Sequence, residues 1–486
     1  MAHLLLAALR TGLFTYLWLC ETEARQTQNL GRTEAAPRGL QGVGASQICV
    51  SDYFQEHGYI EVDSGVKYFY WFIQSYGFPS SDPTVIWTPG EPGLSSLMSF
   101  LTSNGPCIIN TTSGAILNNS LNWNQAFNLV YLDEPAGVGF STGKIETDSN
   151  IRAAYLRNFT VAFFKKFPQY NHRVYYFGSS QSGLVIPKAA KLTYEYNVNK
   201  SKRHQIDFTG VALLNALTSF RTQIVDTPKT AYGSPTTPRR ITKEQYEKMN
   251  LENLQCVSQA TICNQDPSPL NIACKRAAEA CQNSSILNLP REVNINMYNL
   301  GEVCMNQVPD YCRPFAQAEA FLNKAEVKKS IGVDPSFVYK RYNPEVDNAI
   351  QSSYSQYEDS YPILGPLIDT YNMKLLVLTG DLGYIYPWTS SKTWLLNLKF
   401  SQQEAFSKAP DYDLKDSSIP HPFGQVRYLK LPHKARLVFV RVGERSDRCN
   451  LPDCVSHAQI ALEITTVYNG SPKASTAEAP SQRLAG

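Results

Sequence analysis

The serine at the bend of "VYYFGSSQSGLVIP" (residues 174–187) has the setting of a nucleophile in this 486-residue chain. The stretch reads as a strand, a tight turn and the start of a helix. Gly178 lets the strand turn sharply, Ser180 takes the apex, and Ser182 and Gly183 let the helix pass close by. A serine hydroxyl attacks a carbonyl only when a base takes its proton. The oxyanion that forms needs preorganised N–H donors, and the backbone N–H of Gln181 is the one this turn would offer. Ser180 therefore depends on partners far away in the chain.

The elements that must bring those partners together are legible as apolar runs. "KYFYWFIQSYG", "PTVIWTPG", "NLVYLDEPAGVGFS", "RVYYFGSS", "DFTGVALLNAL", "MKLLVLTGD" and "ARLVFVRVG" read as strands, several of them buried on both faces. "NIRAAYLRNFTVAFFKKFPQY" carries apolar residues at helical spacing. Strands alternating with helices imply an α/β fold with a mostly parallel sheet covered on both sides. Between two strand-rich parts lies a polar, Cys-bearing, helix-rich stretch, as in "TKEQYEKMNLENLQ" and "ACKRAAEACQ".

These patterns predict a signal peptide over 1–24, a propeptide or flexible lead-in over 25–45 and a first core segment over 46–215. A helical cap insertion over 216–340, a second core segment over 341–470 and a disordered tail over 471–486 complete the chain. The apolar N-terminal stretch is interrupted by Arg10, so it falls short of the roughly 20 clean apolar residues of a membrane span. No integral span is expected after signal removal.

Apolar residues make up 43% of the chain, as in a folded globular protein. The 45 basic residues nearly balance the 42 acidic ones, which argues against dedicated nucleic-acid binding. Eleven cysteines include Cys20 within the signal and a cluster at Cys256, Cys263, Cys274, Cys281, Cys304 and Cys312. Cys449 and Cys454 form a close pair that could shut a short local loop. No metal-ligand spacing appears, so no metal and no cofactor are expected, and disulfides are the better reading. Their connectivity stays open. Sequons at Asn110, Asn118, Asn158, Asn199, Asn283 and Asn469 add to the secretory features and point to a secreted or lumenal protein.

Four stretches, in order, resemble blocks of one family. "VIWTPGEPGLSSL" resembles WLNGGPGCSSL, and "YLDEPAGVGFS" matches LDxPAGVGFS almost letter for letter. "FFKKFPQYNHRVYYFGSSQSGLVIP" follows FFxxFPEYxxxxFYxxGESYAGxYxP, and "AFLNKAEVKKSIGV" resembles xYLNxxDVQKALGV. From about Cys49 to Tyr468 the chain resembles a serine carboxypeptidase. The resemblance implies an α/β-hydrolase fold with a helical cap over the site.

It also shows what is missing. The family's catalytic histidine lies in a turn after the last long strand, where this chain has Glu444. The orienting aspartate falls at Gly383, whereas Asp381 matches the other acid of that pattern. His433 precedes the last strand and His457 lies beyond the cysteine pair, so neither occupies the strand end. An ordinary glutamate, with a pKa near roughly 4.3, deprotonates serine poorly at neutral pH. The second oxyanion donor maps onto Glu91, whose side chain brings negative charge beside a developing anion. The residues that hold a substrate's C-terminal carboxylate in the family map onto Pro89, Ser103 and Ser179. The family's PGCSS cysteine is Leu94, so Cys312 must pair otherwise or stay free.

The expected function is a secretory-pathway member whose catalytic site is degenerate and which binds a peptide or protein ligand in its cleft. A second copy of the chain is a further candidate partner. The alternative is an active carboxypeptidase with a rearranged base, from His457 or a cap residue.

Overall fold

The structure, a computed structural model, describes residues 48–49, 53–110, 113–120, 122–234, 236–292, 295–303, 315–414, 424–430 and 436–442. Its first strands are β1 (Gln55–Asp63), β2 (Val66–Ile73), β3 (Thr84–Thr88), β4 (Cys107–Ile109), β5 (Ile116–Asn118), β6 (Asn128–Leu132) and β7 (Val174–Ser179). Then come β8 (Phe208–Leu214), β9 (Ile295–Asn296), β10 (Asn299–Val303), β11 (Lys374–Gly380), β12 (Tyr412–Leu414), β13 (Gly424–Lys430) and β14 (Arg436–Val442). Ten of them form one sheet in the order β1-β2-β6-β3-β7-β8-β11-β14-β13-β12. The central run from β6 to β14 is parallel, and antiparallel strands flank it on both sides.

The alternation of side chains along β2 shows why its sequence is a continuous apolar run. Tyr68, Tyr70 and Phe72 enter one core, while Phe69, Trp71 and Ile73 enter the other. A strand covered on both faces has no polar side to show. The first core is closed by the helices Ser149–Lys166 and Ser182–Val198, through Phe159, Phe163, Val185 and Ile186 among others. Asp148 caps the first of these, its carboxylate accepting from the Asn150 N–H at 2.7 Å. The second contains Pro187, which cannot donate to the Gly183 carbonyl a turn earlier. Ser360 Oγ donates to that carbonyl instead, at 2.6 Å.

The strands expected from the sequence are all present. Two features were not anticipated. The hairpin partner β1 and the outer antiparallel strands β12 and β13 carry mixed, less apolar sequences, since they lie at the sheet's margins. Within the expected insertion over 216–340, the residues divide between two packing clusters. The helices Lys243–Cys263, Ile272–Gln282 and Ser285–Glu292 share a separate cluster, with Cys256–Cys281 and Cys263–Cys274 bridging the first two. Residues 315–340 instead join the sheet's second core through Phe315, Phe321, Leu322, Val327, Ile331 and Tyr339. A third disulfide, Cys49–Cys107, ties the first described residues to β4. Cys304, Cys312, Cys449, Cys454, the signal and lead-in (1–45), the tail and Asn469 lie outside the described residues.

The "DEPAGVGFS" loop works as an anchor. Asp133 is fully buried and accepts from Ser95 Oγ at 2.7 Å, the Ser96 N–H at 2.8 Å, Ser96 Oγ at 3.0 Å and the Phe140 N–H at 3.2 Å. It thereby joins this loop to the "GLSSL" turn. Gly139 makes the approach feasible: it has φ +52°, and a Cβ there would stand 2.0 Å from Asp133 Oδ2. Next to it, buried Glu134 pairs with Arg152 at 3.1 Å.

Burial pushes the Asp133 carboxyl up to about 6, against the opposing pull of its hydrogen bonds. The native state thus holds this proton more tightly than the unfolded chain does. The group's contribution to stability is fully present below the unfolded value, 3.8, and is lost as pH rises through about 6. In urea titrations, the stability of the natural protein relative to Asp133→Asn should improve by roughly 2 kcal/mol between neutral pH and about pH 4. A gap that stays constant over that range would contradict this assignment.

Candidate active site

The nucleophile position lies at the end of β7, where the chain reverses into the helix Ser182–Val198. Ser180 has φ +45°, a conformation that is strained for a residue with a Cβ. Its surroundings demand small neighbours. A Cβ on Gly178 would meet the Ser182 Cβ and Thr88 Oγ1 at 2.6 Å, and one on Gly183 would meet the Leu217 carbonyl oxygen at 2.3 Å. The turn is tied to the sheet by Leu217 N–H donating to the Ser180 carbonyl at 2.7 Å. Thr88 Oγ1 donates to Ser182 Oγ at 3.1 Å, and Ser182 Oγ donates to the Pro89 carbonyl. The glycines and small residues of the elbow are thus explained by packing alone.

A cleft that is partly open to solvent lies beside Ser180. It brings Ser180 together with Pro89, Glu91, Ser103, Ser179 and Gly383. These residues come from the β3 turn, the end of the helix Leu97–Thr102, the elbow and the loop after β11. Among the described residues, the Ser180 hydroxyl makes no hydrogen bond, and no histidine lines the cleft. Gly383 offers no carboxylate. Among the described residues, a Cβ there would meet Asn215 Nδ2 no closer than 3.5 Å. Glu444, His433 and His457 lie outside the described residues.

The oxyanion side differs from the expectation. The N–H of Gln181, expected to face an oxyanion, donates to the Gly90 carbonyl at 2.8 Å. That carbonyl belongs to the same peptide unit as the Glu91 N–H. In a trans peptide the C=O and N–H point in opposite directions. One peptide orientation therefore occupies the first donor and turns the second away from it. The physical reason for the tight fit is the close approach of β3 and β7: a Cβ on Gly90 would stand 2.3 Å from Ser179 Oγ. Glu91 itself is half-buried on the cleft wall.

Several wall residues carry no signal in a single sequence. Asn215, at the end of β8, has φ +46° and accepts from the Gly380 N–H at 3.1 Å through Oδ1. It stands between the elbow and the Gly383 loop. Its position after a parallel strand, like those of Ser180 and Gly383, is the available clue, since ligands gather at the carboxyl ends of such strands. Tyr298, from the β9–β10 turn, with Phe315, Ile385 and Tyr386, completes an apolar wall. Burial raises the Tyr386 hydroxyl well above its ordinary value, so it stays protonated.

Comparison with known proteins places this architecture. The serine carboxypeptidase family model matches residues 47–444. This chain belongs to the serine carboxypeptidase family. Serine carboxypeptidase-like 48 of Arabidopsis thaliana is 28% identical over 405 residues, which cover 80% of this chain and 76% of that protein. Carboxypeptidase Y homolog A of Leptosphaeria maculans is 28% identical over 400 residues, 82% and 71% of the two chains. Among solved structures, the prohormone-processing carboxypeptidase Kex1Δp from Saccharomyces cerevisiae superposes with a TM-score of 0.70. It is 19% identical, and the match covers 85% of this chain and 91% of that one, so the likeness is one of α/β-hydrolase fold. The serine carboxypeptidase fold is therefore retained throughout the described core.

Proposed function

We propose that this chain is a catalytically silent member of the serine carboxypeptidase family, acting as a binding protein for a peptide or protein ligand in the secretory pathway. The observation that carries this reading is the Gly90–Glu91 peptide, whose carbonyl takes the Gln181 N–H at 2.8 Å. Stabilising the developing oxyanion is usually the largest single contribution to acyl transfer. Gly383 at the orienting-acid position and Glu444 at the base position point the same way, because a triad acts as a unit. The secretory placement is supported by three disulfides and by exposed sequon asparagines at Asn118, Asn199 and Asn283. Asn110 and Asn158 are half-buried, and Asn158 uses its amide to hold the Val62 carbonyl at 2.9 Å. Among the described residues, no helix is long and apolar enough to cross a membrane.

The second reading, an active carboxypeptidase with a rearranged base, is favoured by one observation. Ser180 keeps the φ of +45° that working nucleophiles adopt at elbows. A hydrolysis assay separates the two. With N-acylated dipeptides, the purified protein should release amino acid no faster than its Ser180→Ala variant. A Ser180-dependent rate at any pH between about 4 and 8 would favour the active enzyme.

A further inference from the structure

We propose that the corner around residues 199–204, at the other end of the strands from Ser180, binds a sulfated polysaccharide. Strand β7 runs from Val174 to Ser179 and ends at the elbow, so the residues that precede β7 and β8 lie at the end opposite the cleft. The stretch "NKSKRH" (199–204) follows the helix Ser182–Val198 there, and all six of its residues are exposed. Between Glu195 and Asp207 the chain carries Lys200, Lys202 and Arg203 and no carboxylate. Exposed His172 and half-buried Arg173 join them from the turn before β7. Asn171 fastens that turn to the stretch: its Nδ2 donates to the Gln205 carbonyl and its Oδ1 accepts from the Asp207 N–H, each at 2.9 Å. This surface is separate from the cleft, and the silent-site reading does not bear on it.

Cations gather at helix C-termini to satisfy carbonyls and the dipole, so capping is the competing explanation. Here a neutral amide takes that part: Gln205 Nε2 donates to the Asn197 and Lys200 carbonyls, each at 3.0 Å. Asn197 binds both backbone groups of Ile206, accepting from its N–H at 2.9 Å and donating to its carbonyl at 2.7 Å. These bonds fix the turn without using a cationic head group. Lys200 lies over the Tyr196 ring, 5.1 Å from its centre, and the Arg203 guanidinium stands 3.4 Å from His204 Nε2. Asp207, the acid at this corner, accepts from the Arg173 N–H at 2.8 Å. Cations held on one fixed turn repel one another, and a polyanion relieves that repulsion while shedding its own counterions. The surroundings select the class of polyanion. Val198, 65% exposed, is a single apolar side chain, whereas a membrane or protein partner needs an apolar area to bury. A chain of sulfate groups needs only cations, and it suits the secretory placement supported by the disulfides.

Heparin is the probe, with affinities measured calorimetrically on the purified natural protein. It should bind at about 0.1 M salt, and log affinity should fall linearly with log salt concentration. Absence of binding at that salt would overturn the proposal. Lys200→Ala/Lys202→Ala/Arg203→Ala should bind at least about tenfold more weakly, with a salt slope smaller by about two to three. Lys243, Lys248 and Lys275 are exposed on the cap helices, and changing these three to alanine removes the same charge. That variant should stay within about twofold of the natural protein, since a distant charge is screened. An equal loss in both triple variants, each with native circular dichroism, would mean attraction by net charge alone and overturn the site. De-sulfated heparin should bind at least about tenfold more weakly than heparin. Equal binding would overturn the ligand class, and so would tighter binding to phosphatidylserine vesicles. Asn199→Gln removes the sequon asparagine of this stretch and keeps every cation, so it should bind at least as tightly as the natural protein. A loss of binding there would place the interaction on a glycan and overturn the assignment to these side chains.

Discussion

A variant with Gly383→Asp and Glu444→His will remain at least about 100-fold slower in Ser180-dependent ester cleavage than the same variant with Glu91→Gly added. The double substitution puts the family's residue types at the base and orienter positions, and among the described residues the atom nearest a Cβ at 383 would be Asn215 Nδ2, 3.5 Å away. It leaves the oxyanion side as it is. The Gly90 carbonyl still takes the Gln181 N–H, and the Glu91 N–H still points the other way. Glycine at 91 restores the residue that the family uses there and frees that peptide to turn over. A single flip would release the Gln181 donor and present the residue-91 N–H. Removal of one oxyanion donor costs roughly 100- to 1000-fold in established cases, and two are at stake here. Burst kinetics with an activated ester would measure the difference. If the double variant matches the triple one, the peptide orientation is not what silences the site.

Asp133→Ala should destabilise the protein by about 3–5 kcal/mol. Four donors converge on this buried carboxylate, two of them backbone N–H groups that cannot turn elsewhere. Each orphaned buried donor costs about 1–3 kcal/mol, and the lost side chain leaves a void in a tightly packed loop. Asp133→Asn keeps the shape and an acceptor oxygen, and so should cost distinctly less. Urea unfolding monitored by tryptophan fluorescence gives both values. An alanine variant as stable as the natural protein would show that the anchor between the "DEPAGVGFS" loop and the "GLSSL" turn contributes nothing. This position also illustrates why the scaffold blocks persist. Asp133, Gly139 and the two serines are explained by folding, with no reference to catalysis.

Much of the fold was readable in the sequence, because the central strands are buried on both faces. Runs such as "KYFYWFI" and "LLVLTG" have one explanation at that length when glycine, proline and polar turns bound them. The strands β1, β12 and β13 give no clear sequence signal, because mixed sequences at or next to a sheet's edge resemble loops. The packing of the insertion's C-terminal end is hard to read from sequence for a related reason. Residues 315–340 are helix-rich like the cap, and only three-dimensional packing shows that Phe321 and Tyr339 belong to the core under the sheet.

At the site, the positions of Ser180, Gly383, Pro89, Ser103 and Ser179 follow from motif matching, and the structure gathers them around one cleft. Peptide orientation is another matter. No residue type dictates which way the Gly90–Glu91 unit turns, so the loss of the Gln181 donor was invisible. Asn215 and Tyr298 were missed because each is an ordinary residue until topology places it on the wall.

Reaction of the natural protein with a fluorophosphonate probe tests the silent-site account most directly. The probe needs only an activated serine and makes no demand on peptide specificity. Intact-mass measurements from about pH 4 to about pH 8, with Ser180→Ala as control, should show no Ser180-dependent adduct in folded protein. Stoichiometric labelling that disappears in the Ser180→Ala variant would contradict the account.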